Sequence, residues 1–469
     1  MKTRAQHRCR RLLPPVILVT ALLGCAAPLD PGRLLAADAG AVVDTLASAA
    51  MAAEPIPGMV VVVLQGDSVR VARGFGRADT ARSDPIEPTT VFQLGSIGKE
   101  VLAALVLRLV EQSRLALDDP VIDWLPTFER LPRTLTVRHL LNHTAGIREI
   151  FTVPGYRKGI GDLDRPTEEL VAILRSAPVD FEPGSRWSYS NSNYLILAQL
   201  VERIMGMPYE DALAEMFFRP LGLNSFKQCP VHANPPREAR GHVLARGRLD
   251  YPPPENMRWI RGDGGLCANA LDLARWQRLL ATGRILRPET YRVMVAPTRL
   301  EDGQAADYGF GLSLVPLGDE PKIAHGGAMP GFTGTVAYYP AHALTLVVIA
   351  NRGDVRTEAT ERRIARRLLG LASPPVETQP LAAEAAQRWI GTYDIGVFKI
   401  SVVDRPDGIW LEMPRPGPTV RLRYVGGGRM VGDDDPDAYE LVLEQPEHGV
   451  QQRLRLSMFA MHWYGVRTR

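Results

Sequence analysis

The pattern of apolar and polar residues divides the chain into regions of different periodicity. Two apolar-rich runs near residues 59–64 and 68–72, joined by Gly66-Asp67, predict two strands and a tight turn. From residue 101 to about residue 300 the apolar spacing is mostly helical, and strand patterns return afterwards. Because strands at both ends bracket a helical insert, the pattern predicts an α+β unit: one sheet built from the two ends, beside a helical subdomain.

The individual elements of this unit follow from the same periodicity. The candidate helices after the first one lie near residues 136–143, 167–176, 193–205, 209–217, 270–281 and 288–295. The later strands are expected at residues 309–314, 334–339 and 344–350, and a helix at about 356–371 closes the unit.

The end of the chain has a third kind of pattern. A Pro-rich stretch at 373–380 is typical of a linker, and a short helix follows it, so that 373–389 separates two units. Residues 390–469 alternate apolar and polar positions with turn signals such as Pro406-Asp407-Gly408. This segment is expected to form a small all-β domain, either a barrel or a sandwich.

The first 25 residues are typical of an export signal. Five basic residues and no acidic ones precede an apolar stretch from Leu12 to Gly24, which is too short for an ordinary membrane-spanning helix. The sequence Leu22-Leu23-Gly24-Cys25 resembles a lipoprotein processing site with Cys25 as the acylated residue, although simple cleavage nearby is an alternative. We therefore expect a signal segment at 1–25, a linker at 26–38 and a periplasmic protein, either free or anchored through lipid on Cys25.

Composition narrows the class of protein. The 469 residues are 45% hydrophobic and 23% charged, which is ordinary for a globular protein. Without the five basic residues of positions 1–24 the formal charge changes from +3 to −2, so nothing in the charge favours nucleic acid as a partner. Cys229 and Cys267 would remain after export, and they could form a disulfide or stay as two thiols.

The strongest candidate for chemistry is Ser96-Ile97-Gly98-Lys99. Ser96 precedes an apolar helix and Lys99 lies one turn later on the same face. A desolvated lysine amine can take the proton of a serine hydroxyl and turn it into a nucleophile. The chain uses lysine for only 6 of its 55 basic residues, yet it has lysine here. The alternative is a serine helix cap followed by a surface lysine.

Two further stretches could contribute to the same site. Tyr189 lies beside Asn191 in a polar stretch before a helix; a tyrosine near a lysine cation could have a lowered phenol pKa, and the asparagine could hydrogen-bond the lysine and a substrate carbonyl. The run His325-Gly326-Gly327-Ala328 could leave backbone amides free to bind an oxyanion. Taken alone, each stretch is also compatible with an ordinary turn.

Two other patterns do not support metal or phosphate binding. His139 and His143 have the i, i+4 spacing of zinc proteases, but Leu140 stands where such proteases have glutamate. The Gly262–Gly265 run lacks the Lys-Ser/Thr pair of a phosphate-binding loop. No metal or other cofactor is expected.

These stretches, in this order, resemble the serine β-lactamase and penicillin-recognising hydrolase family, which includes class C β-lactamases, D,D-carboxypeptidases, D-aminopeptidases and related esterases. The resemblance covers about residues 40–370 and also rests on the Asp118-Asp119-Pro120 and His143-Thr144-Ala145-Gly146 stretches. It implies an antiparallel sheet flanked by helices, with a hydrolase domain at 39–372. Residues 390–469 are similar to the lipocalin-like domain of some members.

The resemblance also implies a role for each candidate residue. Ser96 would be the acylated nucleophile, Lys99 its base and Tyr189 the group that passes the proton to the leaving group. The amides of Ser96 and Ala328 would bind the oxyanion, and Asn191 would orient substrate and Lys99. His325 and Gly327 would line the substrate site, where family β-lactamases have Lys-Thr-Gly instead of His325-Gly326-Gly327.

The missing lysine and hydroxyl of that third motif affect the expected substrate. A histidine is mostly neutral at pH 7, so binding of penicillins or of a peptide carboxylate should be weakened more than acyl transfer. We therefore expect an exported serine hydrolase that cleaves an ester or amide of a small molecule or peptide through acyl-Ser96. The alternatives are a D-amino-acid-specific peptidase or carboxypeptidase, a true β-lactamase, and, from another class, a catalytically idle sensor.

Overall fold

The computed structural model describes residues 38–230, 237–372, 377–414, 419–433, 436, 439–444, 453–458 and 460–468. The predicted signal segment and nearly all of the linker after it lie outside the described residues. The α-helices are α1 Ala39–Ala53, α2 Gly98–Glu111, α3 Val121–Trp124, α4 Val137–Leu141, α5 Tyr156–Ile160, α6 Thr167–Ser176, α7 Asn191–Met205, α8 Tyr209–Leu213, α9 Arg219–Leu221, α10 Ala270–Ala281, α11 Pro288–Met294, α12 Thr357–Leu369 and α13 Ala383–Gln387.

The strands form a central sheet, a barrel and several short pairings. Those before the barrel are β1 Gly58–Gln65, β2 Ser68–Gly76, β3 Val91–Gln93, β4 Lys227–Gln228, β5 Val243–Ala245, β6 Arg248–Asp250, β7 Leu266–Asn269, β8 Thr298–Arg299, β9 Ala305–Ala306, β10 Ile323–Met329, β11 Phe332–Tyr339 and β12 Leu344–Ala350. Those of the barrel are β13 Gly391–Asp394, β14 Lys399–Arg405, β15 Gly408–Glu412, β16 Thr419–Gly426, β17 Arg429–Gly432, β18 Glu440–Glu444, β19 Arg453–Met458 and β20 Met461–Arg467.

The central sheet has five antiparallel strands in the order β10-β11-β12-β1-β2. Every residue of β1 and β12 is buried, because helices cover both faces of the sheet. On one face Val61 packs in a cluster with Val43 of α1 and Leu368 of α12. On the other face Val60 belongs to the large core that contains α2 and α10. The prediction of one sheet built from both ends of the unit is therefore confirmed.

Most of the expected elements are present within a few residues, and α6 and α10 have the predicted bounds. The prediction of a strand at 309–314 was wrong. This segment is irregular, and its Ser313 makes only isolated bridges, to Tyr308 and to Ala324. Gly311 explains the difference, because its φ of +71° is outside the extended range.

A second difference concerns the His325-Gly326-Gly327 stretch, where a glycine-rich turn was the alternative. It forms edge strand β10, and its register with β11 runs without interruption from Ile323 to Met329. Glycine lowers strand propensity, so the sequence pattern did not identify this strand. The pairing with β11 is a tertiary effect that local propensity does not contain.

Strands β13 to β20 form a closed eight-stranded barrel in chain order, and β13 pairs with β20 to close it. The expected all-β unit is thus a barrel. Its interior is filled by buried apolar side chains such as Val402, Leu411, Leu441 and Leu456. The barrel therefore has a packed apolar interior.

Two features connect distant parts of the chain. A disulfide joins Cys229 to Cys267 of β7, which settles the pairing that the sequence left open. The barrel packs on the larger unit through a shared apolar cluster that includes Trp187, Tyr189 and Trp463. Among the helices that the structure describes, none is long and apolar enough to cross a bilayer.

Candidate active site

Ser96 lies in a single 3-10 turn, Gly95–Ile97, that leads directly into helix α2. Gly95 has φ +54°, a conformation that favours glycine and lets the chain turn sharply out of strand β3. The turn places the Ser96 hydroxyl at the amino end of a buried 14-residue helix. The free amides and positive dipole of such an end favour a developing negative charge.

Lys99 is fully buried and its amine contacts three oxygens. Nζ lies 3.0 Å from Ser96 Oγ and 2.7 Å from Asn191 Oδ1, and it also donates to the carbonyl of Asp263. Burial lowers the pKa of Lys99 to about 8, although the charges of Asp263 and Glu149 oppose the shift. A substantial fraction of the amine is therefore neutral near pH 8, and it can accept the Ser96 proton across the same 3.0 Å distance.

Tyr189 lies on another side of Lys99: the lysine amine is 5.1 Å from the centroid of the Tyr189 ring. Burial raises the pKa of the Tyr189 phenol far above its ordinary value, and the neighbouring Ser96 hydroxyl offsets part of that rise. The expected lowering of this pKa by the lysine cation is therefore wrong, because desolvation of the phenolate outweighs it. Tyr189 is a protonated phenol at neutral pH.

Asn191 is the first residue of helix α7, and its amide bridges two charged groups. Its Oδ1 accepts from Lys99, while its Nδ2 donates to Glu149 Oε1 over 3.0 Å. The backbone N–H of Asn191 donates to Glu149 Oε2 over 2.6 Å. Sequence reasoning missed Glu149, which follows the Gly146-Ile147 stretch by two residues. A single acidic residue at that position does not indicate a role in the site unless its contact with Asn191 is known.

Strand β10 carries the second candidate amide of the oxyanion site. Ala324 exchanges both backbone hydrogen bonds with Ser313, on the side away from β11. Because strand residues alternate, the N–H groups of Gly326 and Ala328 point away from β11 too. A β-carbon on Gly95 would lie 2.8 Å from Ala328 N, so the Ala328 amide faces the turn that carries Ser96.

Gly327 makes this approach of strand and turn possible. A β-carbon at that position would lie 2.0 Å from the carbonyl oxygen of Leu94, a distance that no side chain tolerates. The close approach of backbone to backbone explains the glycines at both 95 and 327.

His325 is fully buried beside the same site. Its Nδ1 lies 2.6 Å from the Gly326 carbonyl oxygen and its Nε2 lies 2.9 Å from the Tyr308 hydroxyl. These partners assign the proton to Nδ1 and make Nε2 the acceptor. Burial, together with the Lys99 charge, lowers the pKa of His325 to about 3. The third motif therefore supplies a neutral ring whose two nitrogens are already paired.

The remaining motifs have structural partners. His139 Nδ1 bonds the Thr136 hydroxyl, while His143 Nδ1 accepts from Ser190 N and its ring lies 4.2 Å from the Tyr189 ring. Within the described ranges, no three His, Cys, Asp or Glu side chains are grouped so that they could hold a metal ion. The Gly262–Gly265 run holds the amine of Lys99 through the Asp263 carbonyl.

Known proteins are similar to this chain over most of its length. A family model described as Beta-lactamase matches residues 43–371. The chain is 27% identical over 358 residues to penicillin-binding protein 4* of Bacillus subtilis, covering 71% of this chain and 78% of that protein. It is 28% identical over 347 residues to a D-aminopeptidase of Brucella anthropi, covering 72% of this chain and 63% of that one.

A solved structure extends the likeness beyond the residues that the family model matches. The octameric penicillin-binding protein homologue of Pyrococcus abyssi superposes with a TM-score of 0.65 at 24% identity, covering 91% of this chain and 100% of that one. The similarity in fold therefore includes barrel residues. The matched family model spans more than half of the chain, and this protein belongs to the β-lactamase family of serine hydrolases.

Proposed function

We propose that this protein hydrolyses an ester or amide through an acyl intermediate on Ser96. The observation that carries the proposal is the 3.0 Å separation of Lys99 Nζ from Ser96 Oγ at a fully buried position. Burial of the amine lowers its pKa towards neutrality, which is what a general base needs. The neutral amine takes the hydroxyl proton while Oγ attacks the substrate carbonyl carbon.

The other groups act on the charge and protons of that reaction. The carbonyl oxygen becomes an oxyanion between the amides of Ser96 and Ala328; Ala328 lies against Gly95, the residue before Ser96. The protonated Tyr189 phenol donates to the leaving group and is reprotonated from Lys99. A water then attacks acyl-Ser96, with the Lys99 and Tyr189 pair as its base. Asn191 holds Lys99 through its Oδ1, and its NH2 group donates to a substrate carbonyl.

The proposed substrate is an ester or amide that does not depend on a carboxylate anchor. His325 is neutral and both of its nitrogens bond the protein, so the third motif offers an incoming carboxylate no cation. Esters and D-amino-acid amides suit this site better than penicillins do, and the D-aminopeptidase relative supports the second class. Substrates whose recognition requires a negative charge at this edge of the site are expected to react slowly.

We also propose that the protein is exported to the periplasm, with Cys25 as the point of lipidation. Disulfides persist in oxidising compartments and are rare in the cytosol. The bond between Cys229 and Cys267 supports an oxidising location. Mass spectrometry of the membrane fraction tests lipidation, because an acylated Cys25 would be the first residue of the mature chain.

Turnover of p-nitrophenyl butyrate, with Ser96→Ala as the control, tests the catalytic proposal. Activity that is lost in the variant, together with a covalent adduct on Ser96, supports it. A panel of D- and L-amino-acid amides and a chromogenic cephalosporin then ranks the substrate classes. Activity that survives in Ser96→Ala, or an enzyme that never acylates with any of these compounds, would contradict the assignment of Ser96.

A further inference from the structure

Glu149 is a buried acidic residue behind the groups that would touch substrate. It is 4% exposed and lies at the start of the 3-10 turn Ile150–Thr152. Its Oε2 accepts from Asn191 N at 2.6 Å, and its Oε1 accepts from Asn191 Nδ2 at 3.0 Å and from Phe151 N at 3.3 Å. One carboxyl group therefore accepts from both the backbone and the side chain of a single asparagine.

These contacts show which form of the carboxyl is present. Within the described part of the chain, the carboxyl oxygens of Glu149 accept hydrogen bonds from three N–H groups: the backbone of Phe151 and the backbone and side chain of Asn191. A protonated carboxyl would need an acceptor for its own proton, and none of the three partners is one. Although burial raises the pKa of Glu149, the hydrogen bonds from Asn191 oppose that rise. The group is therefore a carboxylate at the positive end of helix α7.

The carboxylate decides which way the Asn191 amide faces. An asparagine side chain could present either its oxygen or its NH2 group to Lys99. Because Glu149 accepts from Nδ2, the oxygen is left to face Lys99 Nζ at 2.7 Å. If the Asn191 amide were reversed, its NH2 group would face the Lys99 ammonium group, and both groups would be hydrogen-bond donors.

We propose that Glu149 is a positioning residue for the acyl-transfer reaction. It fixes Asn191 so that the amide oxygen holds the Lys99 amine against Ser96 Oγ. This inference rests on the proposed function of Ser96 and Lys99, and it adds a residue that does not itself touch substrate.

Glu149 also contributes to the electrostatic surroundings of Lys99. Two carboxyl groups near the amine, Glu149 and Asp263, favour its charged form when they are ionised, and burial raises the pKa of Asp263 itself to about 7. The remaining neighbours are neutral near pH 7: the phenols Tyr189 and Tyr194 and the imidazoles His143 and His325. Removing the Glu149 charge therefore lowers the pKa of Lys99 and moves the pH at which the base becomes available downwards.

The test is Glu149→Gln, which keeps the shape of the side chain but replaces one acceptor by a donor. The readout is the second-order rate at which a fluorophosphonate probe labels Ser96 between pH 5.5 and 10, with kcat and KM on p-nitrophenyl butyrate alongside. We expect labelling and kcat to fall by about 10- to 100-fold at nearly unchanged KM, because a small displacement of the base costs that much. We also expect the acid limb of the pH profile to move to lower pH.

Two variants separate positioning from a general loss of structure. Glu149→Asp keeps the charge but shortens the reach, so its rate should fall while its acid limb stays at the wild-type pH. Glu100→Gln is the matched control, because Glu100 is also a buried glutamate but is not among the charges that act on the pKa of Lys99. Its side chain contacts Gln277, and its pH profile should match that of the wild type. If Glu149→Gln does not fold, Glu149→Asp decides the question.

Each result has a distinct meaning. A wild-type labelling rate and pH profile in Glu149→Gln, or a wild-type rate in Glu149→Asp when the first variant is unfolded, would overturn the inference and leave the proposed function standing. Absence of Ser96 labelling in the wild-type enzyme would instead overturn the proposed function. In that case a crystal structure of Glu149→Gln still tests the inference: the Asn191 amide should turn away from Lys99, and an unmoved amide would contradict it.

Discussion

The indole of Trp463, on barrel strand β20, lies 5.2 Å from the ring of Tyr189, with the two planes inclined at 52°. Tyr464 makes a similar contact with Trp187 at 5.7 Å, and His462 bonds Asp307 at 2.9 Å. Three successive barrel residues therefore contact the segments that carry the Tyr189 phenol and its neighbours. The barrel therefore supports one side of the active site.

This contact predicts that the barrel affects catalysis through Tyr189. Trp463→Ala should lower kcat by about 10-fold or more, since the phenol loses the ring that restricts its position. Trp463→Phe should recover most of the loss. The measurement is kcat and KM for p-nitrophenyl butyrate, with thermal unfolding to check the fold. Trp410→Ala is the control: Trp410 is on strand β15 of the same barrel, and its indole N–H donates to Asp407. Equal kcat values for the two alanine variants would disprove the effect.

The pKa of Lys99 predicts the pH dependence of acylation. Burial lowers this pKa to about 8, and the neutral amine is the form that accepts a proton. The value of kcat/KM should therefore rise with pH up to about 8 and level off above it, reporting the free enzyme. His325 should add no step near pH 6.5, because burial lowers its pKa to about 3.

Lys99→Arg provides the corresponding variant. Arginine keeps the positive charge but does not lose its proton in this pH range, so turnover should fall by at least about 100-fold at every pH. Stopped-flow measurement of acylation between pH 5.5 and 10 checks both statements. A variant with near-normal turnover, or a wild-type rate that is flat from pH 6 to 10, would show that Lys99 is not the base.

The sequence was sufficient to identify candidate catalytic residues that must be of a particular amino-acid type and lie a fixed number of positions apart. Ser96 and Lys99 meet because one helical turn separates them, and this is a local relationship that a sequence contains. The apolar run of β1 likewise predicts a buried strand. These features depend on neighbours along the chain, which explains why they could be predicted.

The features that the sequence did not predict depend on neighbours in space. Strand β10 exists because β11 pairs with it, although Gly326 and Gly327 have little strand propensity. Glu149 acts on Asn191 from a different loop, and a lone acidic residue does not reveal its partner. The direction of the Tyr189 pKa shift depends on burial, which outweighs the nearby lysine.

The fit of strand β10 against the Ser96 turn gives a third prediction. A β-carbon on Gly327 would lie 2.0 Å from the Leu94 carbonyl oxygen, so Gly327→Ala must push the strand away from the turn. The Ala328 amide would then leave the oxyanion site, and loss of one such donor costs about 100- to 1,000-fold in kcat.

Gly161→Ala is the matched control for this change. The nearest atoms to a β-carbon there are 3.9 Å away, so the added methyl group meets no obstacle. Steady-state kinetics of both variants on p-nitrophenyl butyrate is the measurement. Comparable kcat values for Gly327→Ala and the wild type would mean that the Ala328 amide does not stabilise the transition state.

The disulfide gives the last prediction, which concerns stability. Cys229 and Cys267 are 38 residues apart, and closing a loop of that length restricts the unfolded chain by about 2–4 kcal/mol. The Cys229→Ser/Cys267→Ser double variant should therefore unfold at a lower temperature and a lower urea concentration. Because Cys267 pairs with Gln93, three residues before Ser96, part of the loss should appear in kcat as well.

Calorimetry with and without a reducing agent checks the effect on stability: reduction should lower the unfolding temperature of the wild type and leave that of the double variant unchanged. Equal unfolding temperatures for the oxidised wild type and the double variant would contradict the stabilising effect of the bond.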